Sequence, residues 1–213
     1  MLVPKIFFKY SWIYDEKWRM RMKYNEPKKK YSKGWVKIYG KNPREVPNSR
    51  QILNYIKKID RLWNNYDKKI LKELSSLTGL NWKAKIIYCY VVGRCIPFSD
   101  PLTIPVYKKA PDYFIDVLIH ELIHQLFTQE GNYEKSKNVW DYFLEKYKGK
   151  SKTTKIHIPL HAIHTCVYKK FFTEKRLERD IELISSPDYK ISWEIVQKEG
   201  YQKIVENFRK RIK

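Results

Sequence analysis

Between residues 5 and 24 apolar and aromatic side chains fall on alternate positions. Ile6, Phe8, Tyr10, Trp12 and Tyr14 share one parity, and Trp18, Met20, Met22 and Tyr24 continue it after Asp15-Glu16. Lys9, Lys17, Arg19, Arg21 and Lys23 hold the other parity. A period of two marks a half-buried strand, so the segment predicts two strands joined at Asp15-Glu16. NEPKKKYSKG reads as a loop, GWVKIYG as a third strand and KNPREVPNS as turns. From Pro47 the period changes. Ile52, Ile56, Ile59, Leu62, Trp63, Tyr66, Ile70, Leu71 and Leu74 predict one long helix, capped by Ser49 and ending at Gly79. KIIYCYVV (85–92) reads as a buried strand. PLTIPVYK (101–108) reads as an edge strand, because Pro101 and Pro105 remove ladder donors.

PDYFIDVLIHELIHQLFTQEGN then predicts a helix that starts at Pro111-Asp112 and stops at Gly131-Asn132, with Ile115, Leu118, Ile119, Leu122 and Leu126 facing a core. A helix near 134–148, the basic loop KGKSKTTK, a helix opening at Pro159 and two or three more helices follow, with breaks at Ser185-Ser186-Pro187 and Gly200. Strands early and helices late give the α+β class. The expected organisation is one domain over 1–213: a basic β-rich segment 1–46, a core 47–172 and a helical segment 173–213.

Composition narrows the classes. A chain of 213 residues with 43% hydrophobic content can bury a full core. No run of 18 uncharged apolar residues is present, which argues against a membrane span. The start, MLVPKIFFKY, is interrupted by Pro4, Lys5 and Lys9 and lacks a small-residue cleavage site, so it reads as a strand and not as a signal peptide. Cys89, Cys95 and Cys166 are odd in number and form no CxxC pair. Reduced thiols in the cytoplasm are expected, and a cysteine-built metal site is not. The net charge is +21, and the first fifty residues hold 14 Lys/Arg against 4 Asp/Glu. Basic residues interleaved with aromatics can bind single-stranded nucleic acid. No nucleic-acid motif accompanies the charge, however, so nucleic acid is not the favoured partner. A sheet with its aromatics in the core, under lysines that solvate the surface, is expected instead.

All five histidines fall in two short clusters, His120 and His124 in HELIH and His157, His161 and His164 in HIPLHAIH. HExxH is the zinc-hydrolase pattern. Residues four apart share a helix face, so both imidazoles address one ion, while Glu121 stands about 100° round the helix, placed to act on a bound water. The plain alternative is two histidines packed on a buried helix. A chance HExxH arises in about one such chain per hundred, which favours the motif. With Pro159 at the first turn of its helix, His161 lies in the opening turn and His164 one turn later, while His157 precedes the helix. The third ligand is therefore assigned to His161, with His164, His157 and Glu178 as alternatives. Tyr168, beyond His164, is a candidate donor to an oxyanion, against ordinary packing.

A backing helix, a strand, an edge strand and then an HExxH helix resemble the zincin metallopeptidases over about residues 48–172, and most of all small soluble minigluzincin-like proteins of archaeal type. The resemblance implies a zincin-like α+β fold, a Zn2+ cofactor, hydrolysis of peptide or protein substrates with Glu121 as general base and acid, and substrate binding by strand addition along Leu102 to Lys108. The metzincin continuation HExxHxxGxxH is absent, since Phe127 and Glu130 replace its glycine and third histidine. Glu145, Glu178 and Glu182 are possible gluzincin-type donors, none in the usual Asn-Glu setting. The Spartan-like proteases, which also combine HExxH with a later histidine and act on protein crosslinked to DNA, are the basic variant of this reading. A structural zinc closed by a fourth protein ligand is the non-enzymatic one.

Overall fold

The structure is a computed structural model that describes residues 2–25, 33–39 and 45–212. Residues 26–32 of the expected loop, 41–44 of the expected turns, and the side chains of Met22, Lys23 and Tyr24 lie outside the described residues. The class is α+β and mostly helical. In chain order the elements are β1 (Lys5–Lys9), α1 (Trp12–Asn25), α2 (Lys33–Tyr39), α3 (Ser49–Asn64), α4 (Asp67–Thr78), β2 (Ile86–Val92), β3 (Phe98–Ser99), β4 (Leu102–Pro105) and α5 (Pro111–Thr128). The helices α6 (Asn132–Lys135), α7 (Lys137–Lys146), α8 (Lys152–Phe171), α9 (Glu174–Leu183), α10 (Pro187–Glu199) and α11 (Tyr201–Arg209) complete the chain. It divides into two compact units. One comprises Pro4–Asp67 and Lys85–Leu122, the other Met1–Val3, Lys68–Ala84 and Ile123–Lys213, so the division falls inside the single helix α5.

The first unit holds a four-stranded mixed sheet in the order β1-β2-β4-β3. β1 runs parallel to β2, with Lys5 opposite Ile86 and Lys9 opposite Tyr90, and β2 runs parallel to β4. β3 lies antiparallel on the far side of β4 and pairs Phe98 with Thr103. The expected edge position of 101–108 is thus corrected: β4 is an inner strand, and β3 covers Leu102 and Thr103, the start of the segment expected to bind substrate by strand addition. Ile6, Ile87, Cys89, Val91 and Ile104 are buried, and Phe8 meets the ring of Phe114 on α5 edge-on at 5.7 Å. On the opposite face Tyr14 and Trp18 of α1 stand against Tyr90 and Phe98, each at 5.5 Å.

Where two strands were expected between 5 and 24, only β1 is a strand; residues 12–25 form α1. Asp15 explains the change. Its buried carboxylate accepts the Gly93 amide at 2.6 Å and pairs with Arg19, four residues on, at 2.8 Å, and Arg19 also donates to the Pro47 carbonyl. The i,i+4 pair fits a helix, and the Gly93 bond ties that helix to a residue 78 positions away. A Cβ at Gly93 would stand 2.6 Å from Val46, so only glycine admits this approach. Residues 34–39 of the expected third strand are also helical, in α2, where Ile38 offers its carbonyl to Lys109; Gly40 lies outside the described residues. Not all aromatics are inward, as was expected: Phe7, Tyr88 and Trp12 are exposed.

The long helix expected from 49 to 79 is two helices, α3 and α4. Asn48, not Ser49, caps α3, in a reciprocal box with Gln51 at 2.9 Å in each direction. Gly79 closes α4 at the expected stop, in the left-handed conformation at φ 74°.

In the second unit α8 runs through the middle of a helical layer, with α7, α9, α10 and α11 against it. Ile123, Leu126 and Phe127 of α5 are buried there, and Phe127 stacks on Phe208 of α11 at 5.3 Å. The expected helix at 134–148 is interrupted at Ser136, giving α6 and α7. α8 does not open at Pro159. It begins inside the expected loop, at Lys152, with Ser151 as its cap accepting the Thr154 amide at 3.0 Å. Asp188 at the start of α10 accepts from both the Ser151 and Thr154 hydroxyls, at 2.5 and 3.0 Å, which fixes the cap from outside the segment. Pro159 consequently sits inside the helix, where its missing N–H costs a backbone bond.

Candidate metal centre

His120 and His124 stand one turn apart on α5, both half-buried, and His157 stands on the second turn of α8, buried. One nitrogen of each imidazole lies within 4.8 Å of the other two, close enough for all three to hold one metal ion. The rings of His124 and His157 meet edge-on at 5.0 Å. The position of α5 follows from its apolar face: Ile115, Leu118, Ile119, Leu122 and Leu126 are all buried, as their spacing predicts, which leaves the two histidines on the adjoining face. His157 joins them because α8 starts early enough to include it.

Protonation favours ligation. Burial, and secondarily the nearby His157, pushes His124 down to about 3, and burial lowers His157 as well, so both are neutral imidazoles near pH 7. Neutral imidazole is the form that donates a lone pair to a metal. His157 Nδ1 lies 2.8 Å from the Thr153 carbonyl. A carbonyl only accepts, so Nδ1 carries the proton and Nε2 the lone pair. This is the backbone-carbonyl arrangement that commonly orients histidine ligands. The donor set is therefore one that can hold a metal ion.

Glu121 is buried beside the pair, and desolvation raises its carboxyl to about 8. A group balanced between its two forms near neutral pH suits proton transfer.

The remaining candidates lie elsewhere. His161, to which the third ligand was assigned, is buried one turn past His157. Its Nδ1 is 2.5 Å from the Ser192 hydroxyl, and its ring stacks on Trp193 at 4.3 Å and 11°. It is not among the three grouped imidazoles. His164 lies farther on, 3.9 Å from Asp180 and 4.6 Å from the Tyr168 ring. Tyr168 is buried with Leu177 and Trp193, as ordinary packing predicts. Glu145, Glu178 and Glu182 are exposed and outside the group. Tyr189 on α10 was not anticipated: its ring lies 4.0 Å from that of His157. A signal for His157 did exist. Ser151 followed by Thr154 is a cap pattern that starts the helix early, but the proline eight residues on outweighed it.

Cys89, Cys95 and Cys166 are free thiols. Among the described residues no helix is long and apolar enough to cross a membrane. The chain matches no family model, no curated protein and no solved structure.

Proposed function

We propose that the chain is a zinc-dependent metallopeptidase, with His120, His124 and His157 as ligands and Glu121 as the proton-transfer group. The convergence of three imidazoles from two helices, two of them kept neutral by burial, with a buried carboxyl next to His120 in sequence, carries the reading. Three protein donors are the complement of a catalytic zinc, which keeps its fourth position for water; a structural site uses four. Zinc bound there would make water acidic enough to ionise near neutral pH and would polarise a substrate carbonyl. Glu121 takes the proton from the attacking water and delivers it to the leaving amine. Burial of Glu121 supports that task, because desolvation raises the proton affinity of its carboxylate and so strengthens it as a base. Thr153 keeps His157 in the tautomer that presents Nε2. Free thiols and the HExxH spacing fit a peptidase of the cytoplasm.

The test is zinc content and peptide hydrolysis in Glu121→Gln. Expected are one zinc per chain in both proteins, an unchanged melting temperature, and hydrolysis reduced by at least about 100-fold. Full hydrolysis in Glu121→Gln rejects the assignment.

A further inference from the structure

The sheet of the first unit is covered unequally. On the face that carries α1, Tyr14 and Trp18 lie over Tyr90 and Phe98, and the Tyr14 hydroxyl reaches Thr103 at 3.1 Å. The β1 side of the same face is open. There Lys5, Phe7 and Lys9 of β1 lie in register with Ile86, Tyr88 and Tyr90 of β2. Phe7 is 37% exposed, Tyr88 43% and Ile86 48%. The two rings are neighbours, with centroids 6.1 Å apart. Each has an ammonium group over it, Lys5 at 4.7 Å from the Phe7 centroid and Lys9 at 3.5 Å from that of Tyr88. Lys85 is exposed next to Lys5, whose amide bonds to its carbonyl. Neither β1 nor β2 contains an acidic residue, and none of these three lysines forms an ion pair with a described residue.

We propose that this open half-face binds an extended single strand of nucleic acid without regard to its sequence. Flat rings in the open offer stacking surface to any base, and a sheet presents them side by side, so adjacent nucleotides can each take one. The lysines supply the complementary charge. An ammonium held over an exposed ring is weakly attached, so it can swing to a phosphate and release the ring to a base. Charge complementarity decides the occupant. A patch of rings and lysines free of carboxylates, on a chain of net charge +21, suits a polyanion that also carries planar apolar groups. A lipid surface provides the anion but nothing to stack, and a duplex keeps its bases inside. The inference does not depend on the metal centre.

Fluorescence anisotropy of the full chain tests it, with labelled oligo-dT and oligo-U of about 12 nucleotides, a duplex of equal length, and phosphatidylserine vesicles as a fourth probe. Micromolar binding to a single strand, weaker for the duplex, is expected at about 0.1 M salt. Phe7→Ala with Tyr88→Ala should weaken it more than about tenfold at an unchanged salt slope, while Phe7→Tyr with Tyr88→Phe should restore it. Lys5→Gln with Lys9→Gln should reduce the slope of log affinity against log salt by about 1.4, from two phosphates lost. Photocrosslinking of the unaltered chain gives a second reading that no folding defect can disturb: adducts should fall on residues 5–9 or 86–92. Undiminished binding in the alanine pair, equal or tighter binding to duplex, vesicle binding that oligonucleotides fail to compete, or adducts confined to other segments would each overturn the proposal.

Discussion

His157 and His161 are one turn apart on α8, both buried, and both kept neutral by that burial. They differ in what their nitrogens and rings meet. At His157 the Nδ1 proton is engaged by the Thr153 carbonyl of its own helix, and the ring stands against His124 of α5. At His161 the Nδ1 reaches Ser192 on α10, and Trp193 lies flat against the ring. The first histidine is held from behind and presents its remaining nitrogen to other imidazoles. The second is enclosed by a hydroxyl and an indole from one neighbouring helix. Residue type, burial and charge state are shared, so they do not distinguish a ligand from a packed histidine. What each ring faces does: Tyr189 of α10 lies beside both, but only His157 also meets His124 of α5, and only His161 is packed against Ser192 and Trp193.

Metal binding separates the two histidines most strongly. His157→Ala is expected to lower zinc affinity by more than about 100-fold, beyond what loss of an outer partner costs, whereas His161→Ala should stay within about tenfold of the parent. Competition titration against a chromophoric chelator measures both. Zinc held at parental affinity in His157→Ala but lost in His161→Ala would reverse the two roles.

Acid stability sharpens it for the third histidine of the helix. His164 is buried, and desolvation, aided by Arg176, pushes it down to about 3. The folded state therefore binds fewer protons than the unfolded chain between about pH 6.5 and 3. Its contribution is present above 6.5 and is lost as pH falls toward 3. Glu121 acts in the opposite sense. Raised to about 8, it favours the folded state below about pH 4.5 and that preference is lost as pH climbs through 8. In the metal-free protein, His164→Leu should reduce the fall in unfolding free energy between pH 6 and 4 by about 1 kcal/mol per pH unit, with the Glu121 contribution common to both proteins. Urea unfolding at the two pH values is the measurement, and parallel acid limbs would count against a neutral buried His164.

The smallest effect is expected at Ser192. Ser192→Ala removes the hydroxyl partner of His161 and should cost about 1–2 kcal/mol of unfolding free energy, with zinc affinity nearly unchanged. A large loss of zinc with intact stability would link the enclosed histidine to the metal after all.

Much of the local structure was readable. α5 has its proline start and its apolar face where the spacing places them, although it ends at Thr128, three residues before Gly131, which opens α6; the breaks at Ser185-Ser186-Pro187 and Gly200 separate α9, α10 and α11. The pairing of His120 with His124, and Glu121 beside them, follows from helical geometry alone. The N-terminal segment was misread because period two in hydrophobicity describes exposure only where a sheet supplies the second surface. Asp15 found a distant amide at Gly93, and that bond, with Arg19, made residues 12–25 helical while leaving Trp12 and Met20 in the open. The edge assignment of β4 failed for a related reason: prolines remove donors, but whether another strand of two residues lies alongside is not written in the strand itself.

What depends on neighbours a few positions apart is already written in the chain: the motif helix, its buried stripe, the stop at Gly79, and His120 and His124 on one face with Glu121 between them in sequence. Only the tertiary structure decided which histidine of the second cluster completes the group. That choice turns on where α8 begins, and its beginning is held by Asp188, which accepts from the Ser151 and Thr154 hydroxyls across more than thirty residues. A cap fixed from that far away outweighs the local preference of a proline for the first turn of a helix, because several hydrogen bonds and a buried face together exceed the cost of one missing backbone donor.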